Sequence, residues 1–98
     1  MAVTTEFLAK IKKAASLTAS FFDSDITDLI EESRLELIRV GVSPSVANDE
    51  TNMLVTKAIR VYVKLNYPES EAEATRLTAS FEVIKSDLAM STGYKTEG

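Results

Sequence analysis

Three groups of charged side chains mark where this sequence could do chemistry. The first is Asp23-Ser-Asp25-Ile-Thr-Asp28, whose alternating carboxylates invite a calcium loop. An EF-hand loop starting at Asp23 needs glycine at its sixth position and glutamate at its twelfth. Asp28 and Arg34 stand there instead. These carboxylates are better read as helix-start charges, which suit the positive end of the helix dipole. The second group is Glu31, Glu32 and Glu36. Paired carboxylates act as acid and base when one is desolvated enough to raise its pKa. Here all three point away from the apolar positions around them, which predicts a solvated face. The third group is Lys57, Arg60 and Lys64, three cations at helical spacing. Such a stripe lies along phosphates or meets acidic side chains of a protein.

What is missing narrows the chemistry further. The chain has no histidine and no cysteine, which removes the usual ligands for zinc, haem and iron–sulfur clusters. It also removes the Ser–His and Cys–His pairings and the commonest general base near neutral pH. A lysine acts as a base when buried, and only Lys85 lies close to an apolar stripe. Gly41, Gly93 and Gly98 are isolated, so no glycine-rich loop can cradle a phosphate. The sequence predicts no catalytic residue, no metal and no cofactor. The net charge of −4 opposes broad attraction to nucleic acid. The basic stripe is therefore expected to meet protein, with Asp25, Asp28, Glu32 and Glu36 of another copy as the candidate counterpart. A small helical DNA-binding regulator is the second reading.

Ninety-eight residues suffice for one domain with its own core. With 45% hydrophobic and 27% charged residues, composition is that of an ordinary globular chain. Only three glycines and two prolines are present, which argues against a β fold with many turns. Met-Ala-Val-Thr-Thr-Glu6 shows no basic region followed by an apolar run, the pattern of a secretory signal. No stretch reaches the roughly 18–20 apolar residues that cross a bilayer. A soluble, intracellular chain with no membrane contact is expected.

Periodicity predicts four main helices. The first follows Thr4 or Thr5 and runs to about Leu17, with Phe7, Leu8, Ile11, Ala14 and Ala15 at helical spacing. The second starts at an N-cap on Ser24 and ends at Val40, with Gly41 just past its C-terminus. Ile26, Leu29, Ile30, Leu37 and Val40 share one arc, while Leu35 and Ile38 project from the side or back as candidate partner contacts. Residues 42–48 read as a connector. Asn48 or Asp49 then caps a third helix running to about Asn66. Its apolar residues cover an arc of about 200°, which makes it the central element. The fourth opens with Ser70-Glu-Ala-Glu73 as a capping box and carries the stripe Leu77, Phe81, Ile84 and Leu88, with Val83 off it. Residues 1–91 form the helical domain and 92–98 a polar tail. Of the Phe21-Phe22 pair, one ring is expected to plug the core and the other to serve as an anchor. The fold class is all-α, a compact antiparallel bundle of four main helices with the third at its centre.

The order of these elements resembles the small head–tail connector, or head-completion, proteins of tailed phages and prophages. The likeness starts in Phe7-Leu-Ala-Lys-Ile-Lys-Lys13 and continues in Asp25-Ile-Thr-Asp-Leu-Ile30. It is most marked in Lys57-Ala-Ile-Arg-Val-Tyr-Val-Lys-Leu-Asn66, where Tyr62, Asn66 and Tyr67 fit a Tyr-x-x-x-Asn-aromatic ending. Arg76-Leu-Thr-Ala-Ser-Phe-Glu-Val-Ile-Lys85, Leu88 and Tyr94 complete it. Tyr-Pro-Glu-Ser70 departs from the glycine-containing loops of many relatives. The resemblance implies a structural role in the virion neck, after assembly in the host bacterial cytoplasm. It implies a homo-oligomeric ring under the portal protein that extends the DNA channel and receives a downstream neck or tail protein. DNA would pass through without specific binding. The candidate subunit contacts are Lys57, Arg60, Lys64, Asp25, Asp28, Glu32 and Glu36. Phe21, Phe22, Leu35, Ile38 and Tyr94 are candidate partner contacts.

Overall fold

In a computed structural model, which describes residues 3–15 and 23–90, most of the helices start where a side chain takes up a free backbone donor. The Thr4 hydroxyl accepts from the Phe7 N–H at 3.1 Å and opens α1, Thr5–Ala14. Phe7 and Ile11 are buried on its inner face. The helix stops three residues before the expected Leu17, and Ala15 caps it through the Ile11 carbonyl. Ala14 is exposed, unlike its apolar neighbours.

α2 covers Asp23–Arg39, so Ser24 lies inside it and not at its cap. Ile26, Ile30 and Leu37 are fully buried. Ser33 and Arg34 join them on that face. The C-terminus closes as a Schellman turn. The Val42 N–H reaches the Leu37 carbonyl and the Gly41 N–H reaches the Ile38 carbonyl, both at 3.0 Å. Gly41 takes φ 109°, a conformation that favours glycine and explains its place there.

The expected connector contains a one-turn helix, α3, Pro44–Ala47. Proline does hold Ser43 in an extended conformation, but it also suits the first helical position, where no N–H is needed. The Ser43 hydroxyl accepts from the Val46 N–H at 3.3 Å. Asp49 does not cap the next helix. Its carboxylate takes the Thr51 N–H at 2.9 Å and the Thr51 hydroxyl at 2.6 Å, closing a tight turn. Asn52 is the cap, accepting from the Val55 N–H at 3.0 Å.

α4, Met53–Leu65, is the third helix of the sequence reading. Val55, Thr56, Ala58, Ile59, Val61 and Val63 are all buried on it, because it packs on α1, on α2 and most extensively on α5. The central position expected from its wide apolar arc is borne out. α5 covers Glu71–Met90 and buries Leu77, Phe81, Ile84 and Leu88, with Lys85 beside them. Val83 is exposed, as its position predicts. Half of the capping box is as expected: the Ser70 hydroxyl accepts from the Glu73 N–H at 3.1 Å. The Glu73 carboxylate reaches back one residue further, to the Glu69 N–H at 3.0 Å. The fold is all-α, four main helices and one short turn of helix, with no strand among the described residues.

Candidate interaction surfaces

α4 carries its basic stripe on the side it leaves uncovered. Lys57, Arg60 and Lys64 meet Arg76, Leu77 and Ser80 of α5 to line a groove of about 370 Å³. Ala14 at the end of α1 also borders it, which accounts for its exposure. The four cations are not equivalent. Lys64 lies 3.6 Å from Glu69 and 4.0 Å from Glu73, and Arg76 lies 3.9 Å from Glu73. Lys57 and Arg60 are exposed and pair with no carboxylate among the described residues.

A hollow of about 300 Å³ forms where the start of α2 passes the end of α4. Asp25, Asp28, Leu29 and Glu32 line it from α2, with Asn66 and Tyr67 opposite. The three carboxylates are exposed and take no cation among the described residues. The Tyr62 hydroxyl donates to Glu32 at 3.3 Å. Burial raises the Tyr62 phenol above its ordinary pKa, and the Glu32 charge adds to the rise. Tyr67 is raised in the same way, by burial and by the Asp25 charge. Tyr62 and Asn66 each lie two residues from Lys64, so at about 100° per residue they sit about 160° round α4 from it. The basic groove and the acidic hollow therefore occupy opposite sides of the central helix.

A family model described as phage connector protein matches residues 7–95. The chain belongs to the phage connector protein family. The comparisons with curated proteins and with solved structures give no match. The family match spans all of the described helices except the first two residues of α1. Its members are connectors, so the role of this chain is that of a phage structural protein. No helix of the connector, among the described residues, is long and apolar enough to cross a membrane. No group of three or more acidic side chains is placed there to hold a metal ion.

The connector's remaining candidate contacts divide into two sets. Leu35 is 66% exposed on the outer face of α2. Ile38 is half-buried beside it, and with Glu31, Arg34 and Asn48 they line a cleft of about 240 Å³. Phe21, Phe22 and Tyr94, and the tail from residue 92, lie outside the described residues.

Glu36 differs from the other acidic candidates because it is engaged within its own chain. It pairs with Arg39 on α2 and with Lys85 of α5 at 3.1 Å. Lys85 also holds Glu82 at 2.9 Å and lies 5.4 Å from the centre of the Phe81 ring. Hydrogen bonds from Arg39 first, and from Lys85 second, bring the Glu36 carboxyl down to about 2. Burial works to lower the Lys85 pKa, but Glu82 and Glu36 outweigh it and raise the ammonium above its ordinary value. The sequence had singled out Lys85 as the lysine nearest an apolar stripe. Its burial serves a clasp between α2 and α5.

The clasp has a pH signature. A carboxyl depressed on folding stabilises the protein above its unfolded pKa and loses that effect as pH falls through the folded one. Glu36→Gln is expected to cost about 1–2 kcal/mol at pH 7, after allowance for partial solvent screening. Urea unfolding from pH 6 downward should show the gap between the two proteins closing between about pH 4.5 and pH 2. A gap that stays constant over that range would remove the clasp as its cause.

Arg34 and Glu50 were not anticipated as a pair. Arg34 is 3% exposed, meets Glu50 at 3.1 Å and lies 5.4 Å from the centre of the Phe7 ring. Glu50 also accepts from the Thr4 N–H at 3.1 Å and the Thr4 hydroxyl at 2.6 Å. Burial works to raise Glu50, yet Thr4 and Arg34 together hold it below its ordinary value. One carboxylate thus ties the start of α1, the middle of α2 and the turn before α4. A wheel signal was present: Arg34 follows Ile30 by four residues, on the edge of the buried arc.

Proposed function

We propose that this connector is a neck adaptor of a tailed phage or prophage. Its copies assemble as a ring under the portal, extend the DNA channel and receive the next neck or tail protein. Membership of the phage connector protein family over residues 7–95 carries this reading. Two oppositely charged surfaces on a small helical body support it, since a ring needs one patch that meets a different patch on the next copy. The net charge of −4 suits a channel wall that lets DNA pass without gripping it. Leu35 and Ile38 are assigned to contact with the portal or the downstream protein. The connector works by docking and carries out no reaction, and it needs no cofactor. It assembles in the host bacterial cytoplasm and ends in the virion neck.

The DNA-binding regulator using α4 is not favoured by the family assignment. Negative-stain imaging and light-scattering mass, on the protein alone and mixed with its portal, test the proposal. Rings on the portal, several times the mass of one 10.7 kDa chain, are the expected result. A chain that stays monomeric in the mixture and leaves the portal bare would overturn it.

A further inference from the structure

Lys57 and Arg60 are exposed, and among the described residues no carboxylate answers their charges. On the far side of α4, Asp25, Asp28 and Glu32 likewise meet no cation among the described residues, and Glu32 accepts from the Tyr62 hydroxyl. Each surface is a concavity with some apolar lining, Val61 and Leu77 in the basic groove and Leu29 and Tyr67 in the acidic hollow. Unscreened like charges gathered in one place repel each other, and a partner of opposite sign relieves that repulsion. The two surfaces cannot reach each other within one molecule, because the central helix stands between them.

We propose that the start of α2 of one copy, with Asp25, Asp28 and Glu32, seats in the α4–α5 groove of the next copy against Lys57 and Arg60. The contact is head to tail, since the two halves lie on opposite sides of the chain. Such a contact propagates from copy to copy and closes into a ring when the rotation allows. Lys64 and Arg76 border the groove but lean on Glu69 and Glu73, so they frame the seat and contribute less charge to it. Glu36 stays with Lys85 and takes no part. The inference rests on the reading of this chain as an assembling connector and names the surface by which it assembles.

Charge exchange between two variants tests it. Lys57→Glu with Arg60→Glu makes one protein acidic on both faces. Asp25→Lys with Asp28→Lys makes another basic on both. Association of the full chain is followed by sedimentation velocity at low and high salt, and again on portal-bearing heads. Each variant alone is expected to associate at least about tenfold more weakly than the unaltered chain. Mixed in equal amounts, the two are expected to recover association, because every acidic face then finds a basic one. Recovery should weaken as salt rises. Circular dichroism of each variant confirms that the helices are retained, since all four positions are exposed.

If the unaltered chain assembles and the two variants assemble equally well, this contact is wrong and the connector reading stands. If the variants weaken but their mixture shows no recovery, the two surfaces do not meet and the contact is likewise wrong. Loss of DNA retention in the first variant, with assembly unchanged, makes the groove a nucleic-acid seat instead. An unaltered chain that forms no oligomer alone or on heads overturns both the contact and the connector reading.

Discussion

Glu50→Ala is expected to be among the most damaging single substitutions in this protein, at about 3 kcal/mol of unfolding free energy. The carboxylate faces a guanidinium that is only 3% exposed. Removing it takes an acceptor and a negative charge away from a poorly solvated cation, and breaking a buried ion pair from one side costs more than the pair itself was worth. The Thr4 N–H and hydroxyl lose their acceptor in the same step. For a domain of this size the expected fall in Tm is roughly 12–24 °C, at about 4–8 °C per kcal/mol. A double change, Arg34→Met with Glu50→Leu, should recover much of the loss, because it removes the charge together with the need to balance it. Thermal unfolding of the two variants beside the unaltered chain checks both statements. Equal losses in the single and double variants would show that packing, and not the ion pair, sets the cost.

The second large effect is Ile59→Ala, expected to cost about 3–4 kcal/mol. Ile59 is 1% exposed on α4, the helix that packs on α1, α2 and α5. Truncation there removes apolar surface from the core and leaves a cavity that surrounding helices can only partly fill. Natural domains are stable by about 5–15 kcal/mol, so this change would consume a large share. Leu35→Ala makes the contrast. Leu35 is as apolar, but at 66% exposed its loss should stay within about 0.5 kcal/mol. Urea denaturation decides, with the midpoint falling for Ile59→Ala while the slope is kept. Equal midpoints for the two variants would mean that α4 is not the centre of the core.

The helices were legible because each is written in a local code. Phe7 and Ile11, Ile26 and Ile30, Leu77 and Phe81 repeat at the spacing of a helical turn, and all are buried. Gly41 marks a helix end by a backbone conformation that other residues adopt only under strain. The family, too, was legible in that order of elements, and the matched span covers almost the whole chain. Local rules misled where one residue type satisfies two of them. Pro44 keeps the residue before it extended, yet it begins a helical turn itself. Asp49 has a good capping side chain, but its carboxylate is held by Thr51, and the cap falls to Asn52.

The charged residues show where sequence by itself stopped. Lys57, Arg60, Asp25, Asp28 and Glu32 were found by type and spacing, and all five remain exposed in the fold. Lys64 and Glu36 belong to the same patterns but hold partners in their own chain, Glu69 and Glu73 for one and Lys85 and Arg39 for the other. Those partners are 5 to 49 residues away except for Arg39. Helical periodicity says which way a side chain points from its own axis, and it is silent on what the neighbouring helix brings. The sequence determined the all-α class, the central helix and the two charged stripes, since these follow from spacing within single segments. Which charges are answered at home and which face outward was set when the helices packed, because that depends on distances across helices that no local pattern encodes.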